Sequence, residues 1–279
     1  MTYREVLNQR VAAISVSESP DMPELGFTEE HLRDAMAEIA RHLLALGARL
    51  AYGGDLRTLG FTELLFELVA RHSRKQDEGD GQMGVTDYLA WPVHILMATA
   101  DLERYTSELT EYAKLVLLTL EGDCCTMNER HMMRQGPPTE AQWTQGLTSM
   151  RRVMLRATDA RVVLGGRVEG YKGVMPGIAE ESLLSLQTRQ PLFLIGGFGG
   201  CARDIAEALG LILPSATSRP KWKGLDALDA FKGVDMDNGL TREENAILAK
   251  TPHVDEAVAL ILRGLLRLEA DGRFAHTGS

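Results

Sequence analysis

The feature that most limits the possible folds is a repeated order of elements: a short apolar run, a turn rich in small residues, and an amphipathic segment. This order recurs from residue 11 to residue 210. Short apolar runs predict buried strands, and apolar residues spaced three or four apart predict helices. Strands that alternate with helices build a parallel sheet with right-handed connections. The sequence therefore predicts an α/β, Rossmann-like doubly wound fold, with a mainly parallel sheet and helices on both faces.

The pattern places these elements along the chain. Strands are predicted at 11–17, 48–54, 88–95, 160–166 and 191–197, and helices at 27–47, 60–74, 140–159, 175–190, 201–210 and within 241–270. Pro92 assigns the third strand to a sheet edge or a strand end. The stretch 101–120 fits either a helix or a helix that leads into a strand, and 95–140 as a whole stays poorly assigned. We expect one domain over 1–215, with a helical extension over 216–279 packed on it.

Composition excludes several classes of partner. The chain has 279 residues and a formal net charge of −9, so neither nucleic acid nor an anionic membrane surface is expected to bind it. It lacks an N-terminal signal core and an apolar stretch long enough to span a membrane, which favours a cytoplasmic location. Three cysteines, two of them adjacent, fit a reducing compartment. The dispersed histidines give no metal-site pattern, so no metal is expected.

Four of the predicted strands end in small or charged residues. The carboxyl ends of parallel strands lie at one edge of the sheet, where ligands bind. Glycine lets backbone N–H groups approach a phosphate, a helix N-terminus attracts it, and arginine holds it with two hydrogen bonds. The residues predicted to form a ligand site there are Ser15, Ser17, Gly53, Gly54, Asp55, Arg57, Gly165, Gly166, Arg167, Lys172, Gly173, Met175, Pro176, Gly177, Glu181, Gly196, Gly197, Phe198, Gly199, Gly200 and Arg203.

Each of these features has a simpler structural explanation. Glycine at a strand-to-helix turn can serve tight geometry alone. Glu180 and Glu181 stand near a helix start, where acidic side chains stabilise the helix dipole. Arg57 and Arg203 are of a residue type that is commonly solvated at the surface. The three tryptophans either pack in the core or stack on a nucleobase.

The ordered set of strand ends resembles the SLOG superfamily. These Rossmann-like domains are related to the DNA-processing protein Smf/DprA and to the LOG phosphoribohydrolases. The resemblance covers about residues 8–212. It rests on the motifs Ile14–Ser17, Tyr52–Asp55, Gly165–Gly177 with Glu181, and Leu194–Gly200.

The resemblance separates two functional branches. LOG enzymes cleave the N-glycosidic bond of a nucleoside monophosphate and carry a Pro-Gly-Gly-x-Gly-Thr-x-x-Glu turn with a catalytic glutamate. Here Ile195 replaces the proline, Gly200 the threonine and Arg203 the glutamate. A cation cannot act as that carboxylate does. The departure favours the other branch, the sensor domains of bacterial antiphage systems, which resemble this chain and some of which bind NAD-derived signals.

The resemblance therefore implies a nucleotide sensor without a required cofactor or a catalytic residue. Its ligand would be ADP-ribose, cyclic ADP-ribose or another NAD derivative, with Glu181 or Asp55 accepting hydrogen bonds from ribose hydroxyls. It also implies a homo-oligomer, and a TIR or other effector domain as a partner. Helix 253–269 is either an oligomer interface or packs on the sheet. The alternative function is a LOG-like nucleoside monophosphate phosphoribohydrolase that uses Glu180, Glu181 or Asp204.

Overall fold

A computed structural model of the protein describes residues 5–54, 56, 60–73, 84–109, 113–133, 136–214 and 221–274. Its centre is a six-stranded sheet in which every described strand pairing is parallel. The strands are β1 (Val11–Ser17), β2 (Arg49–Tyr52), β3 (Val85–Leu89), β4 (Ala113–Leu117), β5 (Ala160–Gly165) and β6 (Leu192–Ile195). The predicted α/β, Rossmann-like fold is confirmed.

Helices follow most of the strands. They are α1 (Glu29–Ala45), α2 (Phe61–Ser73), α3 (Trp91–His94), α4 (Thr99–Leu109), α5 (Met127–Met133), α6 (Glu140–Arg156), α7 (Gly177–Thr188), α8 (Gly200–Ala208), α9 (Arg242–Lys250) and α10 (Val254–Ala270). A 3₁₀ helix occupies Leu225–Phe231. Capping boxes fix the starts of α1, α6 and α9 at Thr28, Thr139 and Thr241.

Alternating side chains of the strands bury two faces of the sheet. In β1, Ala12 and Ile14 belong to the core cluster formed with α1, α2 and α10, whereas Ala13 packs with Met150 and Met154 of α6. This period of two is what a strand buried on both faces requires. Helices therefore cover both faces, as the sequence predicts.

The strand order is β4-β3-β2-β1-β5-β6. The chain runs outward from β1 to β4 and then returns to place β5 on the other side of β1. Ser17 at the end of β1 is in register with Gly165 at the end of β5. In folds of this kind, the crevice beyond the strand ends at such a reversal is the usual ligand position.

The structure corrects the third strand and settles the unassigned stretch. The strand ends at Leu89, and α3 begins at Trp91 with Pro92 in its first turn. The early position of Pro92 is explained by the helix, because proline is well tolerated in a first turn. Farther along the chain, α4 is followed by β4, so residues 101–120 follow the second of the two predicted alternatives, a helix that leads into a strand.

The C-terminal helix packs on the rest of the protein. Ile261, Leu265 and Leu268 of α10 belong to the same buried cluster as Met36 and Leu43 of α1. Of the two roles predicted for helix 253–269, the structure therefore shows packing within the protein. Its role as an oligomer interface stays a prediction.

Candidate functional site

Four neighbouring strands, β2, β1, β5 and β6, bring their carboxyl ends to one edge of the sheet, which we call the carboxyl edge. Ser15 and Ser17 lie at the end of β1, Gly53 and Gly54 follow β2, and the two longer glycine turns follow β5 and β6. Asp55 and Arg57, which the sequence also assigns to this site, lie outside the described residues.

The turn after β5 is bonded directly to the end of β1. The Gly166 N–H donates to the Ser17 carbonyl oxygen over 2.8 Å, and the Arg167 N–H donates to the Ser17 hydroxyl over 3.2 Å. Gly165 has φ +65°, and a Cβ there would overlap the Ser17 carbonyl. Glycine is required at this position because the two strand ends approach so closely.

Arg167 is the exposed cation at this junction. Its side chain is 52% exposed, and its guanidinium lies 3.9 Å from the Glu18 carboxylate, an ion pair too loose and solvated to hold it firmly. The guanidinium therefore stands at the carboxyl edge, available to a ligand.

The turn after β6 is fastened to the turn after β5. The Cys201 N–H donates to the Gly166 carbonyl over 3.0 Å. Gly200 has φ +63°, and a Cβ there would overlap both the Gly166 carbonyl and the side chain of Ser19. The ends of β1, β5 and β6 thus converge on one small region around Gly200.

The N-terminus of α8 in this region already holds a carboxylate. The Gly200 N–H donates to Asp21 Oδ1 over 2.7 Å, and the Ser19 hydroxyl lies 2.9 Å from the same oxygen. A Cβ at Gly199, which has φ +75°, would come within 2.5 Å of the Asp21 carboxylate. A helix N-terminus attracts negative charge, so the bare backbone of Gly199 and Gly200 here accommodates an anion that the chain itself supplies.

The first half of the same turn packs against protein. A Cβ at Gly196 would lie 2.5 Å from the Ala249 carbonyl oxygen, and one at Gly197 would overlap the Thr251 carbonyl. Phe198 is buried, with its ring centroid 5.4 Å from that of Phe27. Close packing is thus a sufficient reason for these residues, and ligand contact by Gly196, Gly197 and Phe198 stays a prediction.

Arg203 has a local partner. Its Nε donates to Glu207 Oε1 over 3.0 Å, one helical turn toward the C-terminus of α8. The structure therefore gives this guanidinium a place in an ion pair within α8, and its predicted contact with a phosphate stays untested.

The loop between β5 and α7 is held against α6. The Lys172 ammonium lies 3.8 Å from the centroid of the Trp143 ring, and its carbonyl accepts a hydrogen bond from the Thr144 hydroxyl. Met175 contacts the 3₁₀ segment at Gly224, where an added Cβ would come within 2.9 Å of the Met175 methyl group. These contacts fix the path of the loop.

Gly173, Pro176 and Gly177 complete this loop. An added Cβ would lie 3.2 Å from the Arg151 guanidinium at Gly173 and 2.8 Å from it at Gly177. Pro176 is buried and precedes the first residue of α7. The two glycines therefore leave room for the guanidinium of Arg151.

A buried network of charges lies beneath the glycine turns. Arg161 of β5, 1% exposed, donates to the Ser15 hydroxyl over 2.7 Å and to the Glu181 carboxylate over 3.0 Å. Arg151 of α6 bonds Glu180, and its Nε lies 3.7 Å from Glu181. Burial lowers the pKa of Arg161, and the adjacent Glu181 carboxylate opposes that shift. Two cations and two anions thus balance inside the fold.

Sequence reasoning missed both arginines of this network. Arg161 is the one charged residue within the apolar strand that runs from Ala160 to Gly165. A buried charge needs a partner, so this position was the available signal. It also missed Asp87 of β3, a buried carboxylate that accepts the Gly54 N–H over 3.0 Å.

The end of β2 is tightly packed. A Cβ at Gly53 would lie 2.9 Å from the Met150 methyl group, and one at Gly54 would overlap the Thr62 hydroxyl. Both glycines thus have a packing reason in addition to their predicted role at the carboxyl edge.

The described residues contain no evident metal site, because no three or more of their His, Cys, Asp or Glu side chains are grouped so that they could hold a metal ion. Over the same part of the chain, no helix has the length and apolar character that crossing a bilayer demands.

A parallel α/β sheet with a strand-order reversal and glycine turns at its carboxyl edge defines the class of Rossmann-like proteins. The family model described as SLOG cluster2 matches residues 6–235, and the chain belongs to this family. Membership suggests a nucleotide-related function. Among curated proteins, no sequence matches the chain.

Proposed function

We propose that the protein is a sensor that binds a nucleotide-derived signal at the carboxyl edge, in the crevice between β1 and β5. The ligand class is ADP-ribose, cyclic ADP-ribose or another NAD derivative. SLOG cluster2 membership and the strand-order reversal support the choice of ligand class and of position. Bacterial antiphage defence is the setting that the resemblance to sensor domains suggests.

The observation that carries the proposal is the Asp21 carboxylate on the Gly200 amide. It marks a position where backbone N–H, helix dipole and glycine clearance favour negative charge. In the proposed complex, a phosphate of the ligand replaces the carboxylate there, and the exposed Arg167 neutralises the second phosphate. Binding then moves Asp21 away from α8, and that displacement gives the sensor a second state.

The contacts of the candidate carboxylates support binding rather than hydrolysis. Glu180 bonds Arg151, Glu181 bonds Arg161, and Asp204 accepts the indole N–H of Trp222 over 3.0 Å. A general base must have its lone pair within reach of the substrate or its water. All three groups have partners within the protein, which supports binding over the glycosidase alternative.

A binding experiment tests this function. The full chain is titrated with ADP-ribose, cyclic ADP-ribose, NAD and AMP by calorimetry, and each mixture is analysed by chromatography for free base. We expect saturable binding of at least one ligand, no turnover, and a loss of affinity of at least about tenfold for Arg167→Ala. The matched control is Arg152→Ala, an exposed arginine of α6. Steady release of base, or no binding by any of the four, would reject the proposal.

A further inference from the structure

The opposite edge of the sheet carries a cavity of about 420 Å³, at the amino ends of β5 and β6. Its walls come from the end of α6, the turn into β5, the turn from α7 into β6, and two later segments that contribute Asp237 and Arg273. This volume lies within the usual range for small-molecule sites, about 300–1,000 Å³. The cavity and the carboxyl edge lie at opposite ends of the strands, so the proposed sensor function does not use the cavity.

One wall is built from two residues with unusual backbone geometry. Arg189 and Asp237 have φ of +58° and +52°, a region that side chains other than glycine rarely adopt. They hold each other through two hydrogen bonds, from Arg189 Nε over 3.2 Å and from Nη2 over 3.0 Å. Arg189 takes this conformation as the residue that ends α7, and its ion pair with Asp237 fixes the position of both side chains.

The floor is rigid and its polar groups are satisfied. The buried Gln190 amide donates to the Thr158 carbonyl over 2.7 Å and to that of Leu155 over 3.2 Å, and its oxygen accepts from the Ser185 hydroxyl. Asp159 accepts the Val11 N–H over 2.8 Å. The floor is therefore preorganised, and its hydrogen bonds need not be broken for a ligand to enter.

Three arginines, Arg156, Arg189 and Arg273, line the cavity together with the carboxylates of Asp159 and Asp237. Arg156 and Arg273 reach it from different elements, and among the described residues neither has a carboxylate at ion-pair distance. Arg189 is occupied by Asp237. Leu155 and Pro191 add apolar surface beside these cations. The cavity thus combines two arginines available to an anion with a small apolar wall.

We propose that this cavity is a second ligand site, for a small organic anion. Its carboxylate or phosphate group binds Arg156 and Arg273, and its apolar part contacts Leu155 and Pro191. The site is independent of the nucleotide at the carboxyl edge, because the two lie at opposite ends of β5.

Phenyl phosphate is the probe, since it combines a dianion with an apolar ring. Titrated into the full chain and followed by NMR, it is expected to bind saturably with a Kd of about 1 mM or tighter, and more tightly than inorganic phosphate. Arg156→Ala and Arg273→Ala should each weaken binding by at least about fivefold. Arg152→Ala, four residues before Arg156 on the same helix but outside the cavity, is the matched control and should change nothing.

Three outcomes overturn this second site: no saturation, equal affinity in all variants, or loss of binding in Arg167→Ala with retention in Arg156→Ala. The last result would place the probe at the carboxyl edge. If inorganic phosphate bound as tightly as phenyl phosphate, the proposed contacts of the ligand with Leu155 and Pro191 would be wrong. The test uses no nucleotide, so its failure is separate from a failure of the sensor function.

Discussion

Asp21→Ala is the variant that most directly probes the proposed phosphate position. In the ligand-free protein, this substitution removes the hydrogen bond of 2.7 Å to the Gly200 N–H and the charge at the start of α8. A carboxylate in this role stabilises a protein by about 1–2 kcal/mol. We therefore expect the free energy of unfolding of the ligand-free variant to fall by that amount.

The stability that Asp21→Ala loses without ligand should be matched by an equal gain in the free energy of ligand binding. If the ligand phosphate displaces Asp21, the bound forms of the wild type and the variant both lack the Asp21–Gly200 bond and should be about equally stable. The variant is then spared the cost of breaking that bond, so its Kd for ADP-ribose should fall by about fivefold to thirtyfold.

Denaturant unfolding and calorimetry on the same samples measure the two quantities. Glu24→Ala is the control, because it removes a negative charge from the same exposed segment. It should change neither quantity appreciably. A variant that loses stability but binds ADP-ribose no better, or less well, would refute the reasoning. Asp21 would then only stabilise the helix, and the phosphate would lie elsewhere.

Three further predictions concern the fold around the site. Burial lowers the pKa of His94 from 6.5 to about 4, and its Nε2 bonds the Leu118 carbonyl. As the pH falls, His94 therefore becomes protonated in the unfolded chain before it does in the folded protein. Acidification from pH 7.5 to 5 should lower the free energy of unfolding by about 2 kcal/mol, and this loss should be absent in His94→Gln. Glu181→Gln leaves Arg161 buried without its counter-charge and should lower the free energy of unfolding by about 3–5 kcal/mol. Replacing both Glu181 and Arg161 with Met should lower it by less. Gly200→Ala should cost about 2–5 kcal/mol, the sum of backbone strain and overlap with the neighbouring turn.

Two of these three predictions have a matched control, the double change is the comparison for Glu181→Gln, and all are measured by denaturant unfolding. The control for His94→Gln is His42→Gln, which removes an imidazole at an exposed position of α1. Gly170→Ala has nearly the same φ, +64°, with open space around it, so it isolates backbone strain, about 1–2 kcal/mol. Equal losses for the two glycine variants would contradict the overlap argument. Equal acid sensitivity of the wild type and His94→Gln would contradict the His94 prediction. A smaller loss of stability in Glu181→Gln than in the double variant would contradict the Glu181 prediction.

Local patterns were enough to predict a parallel sheet and the strand ends at its carboxyl edge, but they placed β3 inaccurately and left β4 unassigned. Apolar runs and helical spacing act within a few residues, so β1, β5 and α7 could be read directly from the sequence. The error at 88–95 has a local cause, since an apolar run with a proline fits a strand end and a helix start equally well.

The chemistry of the site was harder to predict because its partners are distant in the chain. Asp21 and Gly200 are separated by 179 positions, and Ser15 and Arg161 by 146. No local pattern encodes such a contact. The glycines of the two long turns could be identified, but the groups that fill the space beside them could not. Packing against Arg151, Ala249 and Thr251 accounts for several positions that the sequence alone assigns to a ligand.

The same contacts indicate which part of the protein can change when a ligand binds. The turns after β5 and β6 are bonded to each other through the Gly166 carbonyl, and the buried ion network ties β5 to α6 and α7. Residues 19–27 depend instead on the Asp21 contact, the buried Met22, the hydrogen bond of 2.8 Å from the Ser19 hydroxyl to the Phe198 carbonyl, and the ring contact between Phe27 and Phe198. A phosphate that takes the place of Asp21 removes one of these attachments. We therefore expect faster amide hydrogen exchange in 19–27 on binding ADP-ribose, with 160–166 unchanged. Slower exchange in 19–27 would mean that the segment closes over the ligand, and the displacement model would be wrong.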